Sequence, residues 1–325
     1  MKAMLVEKEK LVLSEIEKPI PQNGEILIEV KAIGINRADL LQRSGKYPSP
    51  KGWPEWPGLE VSGVIADMSD DAKEKSCFNI GDKVCALLGG GGYAEFVCAP
   101  YGMVMSIPKG LSFEEAATLP EAYATSYVNL FWEGKLEHGQ NVFITAGASG
   151  LSSVAIPMAK AFGARVITTV SSKTKAERIA SLGADIIIDL SEKSVSEVLK
   201  NEEAEGRAIN IAMDCLGGKM LGESISYMAD GGYWVLISTL AGVETEILLR
   251  PILTKSIHLV GSMLRKRSSE EKARLLKELT EKVWPVIERG EIKPSIYKVL
   301  KLSEANDALD ILARGENIGK VILVV

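Results

Sequence analysis

Two rhythms of apolar and polar positions divide the chain. Before Leu119 the apolar runs are short. "EILIEVKAIGIN" (Glu25 to Asn36) sets Ile26, Ile28 and Val30 on one face against Leu27, Glu29 and Lys31 on the other, the period of a half-buried strand. "VSGVIADM", "DKVCALL" and "YAEFVCA" read as further strands, separated by glycines and acidic loops. "SDDAKEKSCFNIGD" (Ser69 to Asp82) reads as a polar surface loop between strands. Many short strands with glycine-rich turns predict a barrel-like or sandwich module.

From about Leu119 the runs become continuous: "NVFIT", "RVITTV", "DIIIDL", "INIAMDCLG" and "GYWVLIS", each followed by a helical pattern. Strands without alternation are covered on both faces, which predicts a parallel sheet, and the strand-helix rhythm makes it doubly wound. An amphipathic helix is expected from Glu270 to Glu288, then strand, helix and strand in "YKVLKLSEANDALDILARGENIGKVILVV".

The length of 325 residues suits two domains. A net charge of −5 with scattered bases argues against a nucleic-acid surface, and the local cluster "RKRSSEEKAR" reads as a solvated helix start. No signal-peptide core and no run of membrane-spanning length is visible, and the four cysteines form no CxxC pair. A cytoplasmic protein with reduced thiols and no membrane or nucleic-acid partner is expected.

Residues Asn141 to Val170 span 30 positions, the length of a strand-helix-strand crossover. On the GxGxxG template of dinucleotide-binding turns the three positions are Gly147, Ser149 and Ser152, with an extra glycine at Gly150. The template's glycines make the turn, admit pyrophosphate and let helix and strand pack closely. Serine adds only a small side chain whose hydroxyl can donate to phosphate, and the helix N-terminus stays favourable to anions. Pro157 predicts a kink in the following helix. After the second strand, where an NAD-specific unit carries an acid, the chain reads Ser171, Ser172, Lys173, Thr174, Lys175. Hydroxyls and ammonium groups without a carboxylate favour a 2′-phosphate, hence NADP, although a serine cap on a solvated helix gives the same letters.

Two histidines, His138 and His258, are all the chain contains, the first read as exposed and the second as packed in an apolar strand. With no converging His, Cys or acid ligands and no cysteine pairs, no metal site is expected.

The segments "NRADLLQRSGKYPSP", "GLEVSG", "LPEAYATSY", "AGASGL", "DCLGG", "GSMLRKR" and "NIGKVIL" occur in this order. In them the chain resembles the zinc-free quinone oxidoreductases of the medium-chain dehydrogenase/reductase superfamily, closest to the p53-inducible quinone oxidoreductase type, over nearly its whole length. Where zinc-dependent relatives have "GHE", Leu59 stands in "GLE". The resemblance implies an α/β protein: a GroES-like β-rich catalytic domain, residues 1–120 completed by 268–325, and a Rossmann NADP-binding domain, residues 121–267, with the cofactor in the cleft between them. By position it implies that Thr125 approaches the nicotinamide and that Ser149, Gly150, Leu151 and Ser152 form the pyrophosphate turn, which on the template opens at Gly147. Ser172 and Lys175 then take the 2′-phosphate, with Ser171 beside them by the local pattern; Leu216, Leu240, Met263, Leu264 and Arg265 line the nicotinamide and ribose, and Asn317 closes the cleft. Asn36 and Tyr47 are its candidate catalytic groups. Three positions depart from the family: Ser152 for the third glycine, Pro157 for glutamine, and Leu190 for a tyrosine near the adenine end.

The expected reaction is NADPH-dependent reduction of a quinone or conjugated carbonyl, with Tyr47, Asn36 or water donating to the oxygen that gains charge. Asp39 reads as a helix-surface acid. Alternatives are an enoyl or alkenal double-bond reductase on the same fold, and a non-catalytic cofactor-binding relative. The apolar "KSIHLVGSML" reads as an edge strand and predicts a homodimer.

Overall fold

The computed structural model describes residues 1–325. The chain forms two compact units, one built from Met1–Ala124 and Arg267–Val325, the other from Thr125–Lys266.

The first unit carries a largely antiparallel sheet. Its strands run in the order Ile296–Lys301, Lys320–Val324, Glu25–Gly34, Glu60–Met68, Lys83–Leu87 and Val104–Ser106, with Phe96–Pro100 also paired to Glu25–Gly34. Lys2–Glu7 and Lys10–Glu15 make a separate ribbon. The central strand departs from the simple alternation expected of it. Glu29 and Lys31 are half-buried and pair with each other, but Leu27 on their face is as buried as Ile26 and Ile28. Glu25–Gly34 has partners along both edges, so its Leu27 end lies inside the sheet rather than at a solvated margin.

The segment after Met68 is not a plain loop. Asp70–Lys75 is a helix whose cap is Ser69, the hydroxyl accepting from Ala72 N at 3.2 Å, and Ala72 is fully buried. The long helix Ser269–Glu288 opens on a reciprocal cap between Ser268 and Glu271 and buries Leu275, Leu276, Leu279 and Val283. Its Trp284 donates to Ser106 O at 2.8 Å and meets Tyr123 edge-on.

The second unit is a six-stranded parallel sheet: Ile186–Asp189, Arg165–Val170, Asn141–Ile144, Ile209–Asp214, Met228–Leu236 and His258–Gly261. The continuous apolar runs become its strands because helices cover both faces, and Phe143, Ile167, Ala212 and Trp234 form its core. Strand order reverses direction between Asn141–Ile144 and Ile209–Asp214, the switch point at which open α/β sheets bind ligands. His258, expected to be packed, is exposed on the edge strand and stacks on Tyr233 with ring centroids 4.4 Å apart. All four cysteines are free thiols.

Candidate functional site

In the second unit, Asn141–Ile144 leads into the turn at Ala146 and then into the helix Ser152–Ala161. The left-handed residue of this turn is Ala146, with φ 53°. Gly147 serves close packing instead, since a Cβ there would stand 2.5 Å from Thr168 Oγ1 and 2.9 Å from Ile179 Cδ1. Neither serine has a free hydroxyl to offer a phosphate in this arrangement. Ser149 Oγ donates to Ser152 Oγ at 3.0 Å, and Ser152 Oγ donates to Thr145 O at 2.9 Å. Ser149 Oγ also accepts from Ser152 N at 3.1 Å. The amides of Ala148, Gly150 and Leu151 donate to nothing within the chain. These amides at a helix N-terminus are what an anion needs, so the turn fits pyrophosphate through backbone rather than through hydroxyls.

Ser152 therefore replaces the third glycine by a different physical means. It is buried, and its hydroxyl ties the first helical turn to the end of the strand that the template glycine would let it approach. Ser152→Gly is expected to lower stability by about 1 kcal/mol, from one buried hydrogen bond and a helical glycine. Urea unfolding checks this, and a more stable variant would show that the Ser152 hydroxyl bond does not compensate for the missing glycine. Pro157 lies inside the helix, which runs on to Ala161.

After Arg165–Val170, Ser171 is exposed and Ser172 caps the helix Lys173–Ile179 by accepting from Lys175 N at 3.4 Å. The cap and the proposed phosphate contact thus share one residue. Leu190 is exposed at the end of the next strand.

At the switch point sequence reading missed the organising residue, Asp214. Its buried carboxylate accepts from Thr145 Oγ1 at 3.2 Å, Leu216 N at 2.8 Å, Gly217 N at 3.1 Å and Trp234 Nε1 at 3.0 Å. Thr145 Oγ1 in turn accepts from Cys215 N at 2.9 Å. The fixed turn presents a half-buried Leu216. Leu240 and Met263 are exposed on this unit, Leu264 is buried, and Arg265 lies in the short 3-10 turn Leu264–Lys266. Thr125, half-buried, accepts through its carbonyl from Asn129 Nδ2 at 2.7 Å.

The first unit gathers a buried polar cluster. Asn36 caps the helix Arg37–Arg43, and its backbone N–H donates to Asp39 at 2.8 Å. Asp39 is 0% exposed, not a surface acid, because Tyr93 OH from a remote segment donates to the same oxygen at 2.9 Å. The other oxygen, Oδ1, has no partner. Burial pushes the Asp39 carboxyl up to about 6, against the hydrogen bonds from Asn36 and Tyr93. Glu60, next to Leu59, is also fully buried and meets Lys320 Nζ at 2.6 Å. Its second oxygen accepts from Glu121 N at 2.8 Å. Burial, then repulsion from Glu60, push the Glu121 carboxyl up to about 7. Tyr47 is half-buried in the bend after this helix, and Asn317 turns its amide to Gly319 O at 2.8 Å.

Residues 22–109 match the alcohol dehydrogenase GroES-like domain, and residues 150–281 match the zinc-binding dehydrogenase family. A quinone oxidoreductase-like protein 2 homolog of Nematostella vectensis is 31% identical over 304 residues, covering 92% of this chain and 81% of that protein. The human synaptic vesicle membrane protein VAT-1 homolog-like is 29% identical, covering 97% of this chain and 77% of its own. Among solved structures, a mycobacterial quinone oxidoreductase superposes with a TM-score of 0.86 at 26% identity, and the quinone oxidoreductase of Thermus thermophilus, determined also in complex with NADPH, with 0.84 at 29%; each covers 100% of both chains. A GroES-like domain joined to a six-stranded Rossmann sheet defines the medium-chain dehydrogenase/reductase superfamily. Within it, this chain belongs to the quinone oxidoreductase/VAT-1 group.

The matched family's zinc does not fit these residues. Leu59 is apolar, Glu60 is committed to Lys320, and no three His, Cys, Asp or Glu side chains are placed to hold a metal ion.

Proposed function

We propose that the protein is an NADPH-dependent, zinc-independent reductase of quinones. The observation that carries the reading is the bare amide turn followed, one strand later, by Ser171, Ser172 and Lys175 with no carboxylate among them. Bound NADPH supplies the hydride, from C4 of its nicotinamide, and a solvent proton completes the hydroquinone. Gly147 keeps the turn close to its sheet, Gly150 and Leu151 offer amides to pyrophosphate, and the Lys175 ammonium faces the 2′-phosphate. In the first unit, Tyr47 and Asn36 donate to the carbonyl oxygen as charge builds on it. The "GSMLRKR" and "NIGK" segments support placement nearest the p53-inducible type.

NADPH is expected to bind at least tenfold more tightly than NADH, followed by quenching of tryptophan fluorescence. Lys175→Glu is expected to remove most of that preference, by roughly 1–2 kcal/mol, while leaving NADH binding within about twofold. Equal affinities in the wild type would overturn the NADP reading. A steady-state panel of quinones against enals then separates quinone reduction from alkenal reduction.

The same reading includes a homodimer. The sheet ends on His258–Gly261, and the exposed side chains Leu240, Val243, Leu248, Leu249, Leu253 and Leu259 lie on or just before that edge in the chain. An unpaired edge with such apolar neighbours pairs readily with a second copy. Four free thiols suit the reducing cytosol, and no helix is long and apolar enough to cross a membrane.

A further inference from the structure

We infer that Lys320 is a positioning residue for reduction and acts through Asn36; the inference rests on the quinone-reductase reading above. Lys320 is only 4% exposed, at the start of the strand Lys320–Val324. All three of its N–H bonds are used: to Glu60 Oε1 at 2.6 Å, Asn36 Oδ1 at 2.7 Å and Ile35 O at 2.8 Å. Asn36 Nδ2 donates to the same Glu60 oxygen at 2.9 Å, and its remaining contact, Gly34 O at 3.4 Å, is long.

This arrangement fixes the Asn36 amide in one sense. Turned over, its NH2 would face the ammonium and its oxygen the carboxylate, so both contacts would become repulsive. An amide oxygen that accepts from an ammonium also polarises its own N–H groups and strengthens them as donors. Of the two Asn36 Nδ2 hydrogens, Glu60 takes one; the other is held only by the long Gly34 contact. Lys320 thus holds the remaining N–H of Asn36 in a set direction and makes it a better donor to an oxygen gaining charge. A lysine with a merely structural role would balance Glu60 without regard to Asn36.

Removing Lys320 alone strands the Glu60 charge, so the test removes both charges together. For wild type, Glu60→Gln/Lys320→Met, Asn36→Leu and the triple variant, NADPH affinity, quinone kcat and KM, and urea unfolding are measured. The paired variant is expected to fold, to keep NADPH affinity and quinone KM within about threefold, and to lose about tenfold or more in kcat; Asn36→Leu is expected to lose the same, and the triple variant no more. Wild-type kcat in the paired variant overturns the inference, as does a triple variant that falls by the product of the two losses. If the paired variant does not fold, Lys320→Arg carries the same test. It keeps the buried charge but presents a planar fork in place of a compact ammonium. Its kcat is expected to fall about fivefold, and adding Asn36→Leu is expected to bring it to the level of Asn36→Leu alone and no lower; an unchanged kcat in Lys320→Arg overturns the inference. A wild type that binds NADPH but reduces no quinone defeats the reading beneath it, and this shows before any variant is compared.

Discussion

Asp39→Asn is expected to stabilise the protein by about 2 kcal/mol at pH 8 and to destabilise it by up to about 1 kcal/mol near pH 4. The wild-type carboxyl is fully buried and titrates at about 6, well above the ordinary carboxylate range. Between those values the folded protein holds a proton that the unfolded chain has released. The stabilising contribution of this group is therefore complete below about pH 4 and is lost as pH rises through 6. A displacement of about two pH units corresponds to about 3 kcal/mol. The substituted amide keeps an oxygen for Tyr93 OH and Asn36 N, but places an NH2 where Oδ1 has no partner, which returns about 1 kcal/mol of the gain. Urea unfolding of both proteins at pH 4, 6 and 8 checks it. Parallel pH profiles for variant and wild type would mean that Asp39 is not the group responsible. Glu121, raised to about 7 by burial and by repulsion from Glu60, adds a slope of the same sign, and Asp39→Asn removes the smaller part of it that comes from the Asp39 charge.

Asp214→Ala is expected to cost at least about 4 kcal/mol. Four donors, from Thr145, Leu216, Gly217 and Trp234, converge on this fully buried carboxylate. Each donor left buried and unpaired costs about 1–3 kcal/mol, and part is recovered as the turn relaxes. Asp214→Asn keeps one oxygen for the turn but sets an NH2 against the Trp234 indole, so about 1–2 kcal/mol is expected there. Chemical unfolding followed by tryptophan fluorescence measures both, since Trp234 itself reports on the site. A loss under 1 kcal/mol for the alanine variant would show that these bonds are easily replaced. Because Leu216 lies just beyond Asp214 in the chain, the same variant tests whether the turn's shape is needed for NADPH binding.

The Rossmann sheet was legible because its inner strands carry continuous apolar runs, and such a run needs no partner to be recognised. The buried cluster of the first unit was harder. Asn36 and Asp39 stand at the cap and third position of a helix, and "NRAD" carries that spacing openly. What makes Asp39 an interior acid is Tyr93, 54 positions away, and no local pattern announces it. Lys320 and Glu60 offered a usable clue: each is a lone charge beside apolar strand residues, in "GKVILVV" and "GLEVSG", and opposite charges of that kind bury together. Ser152 misled in the other direction. Its letter departs from the glycine template, while its compensation is a hydroxyl bond to Thr145 that only the folded turn creates. The helical segment after Met68 was missed although Ser69 and two following acids are a helix-start pattern.

The seating of Lys320–Val324 against Glu25–Gly34 also sets an order of events during synthesis. The second unit is one uninterrupted stretch, Thr125–Lys266, and emerges from the ribosome with every strand it needs. The first unit begins earlier yet finishes later. Its Glu60 carboxylate has no counter-charge until residue 320 has been made, so its early strands wait, incomplete, while the inserted unit folds between them. Of the two, the discontinuous unit is the one whose strand edges stay open longer as the chain is made.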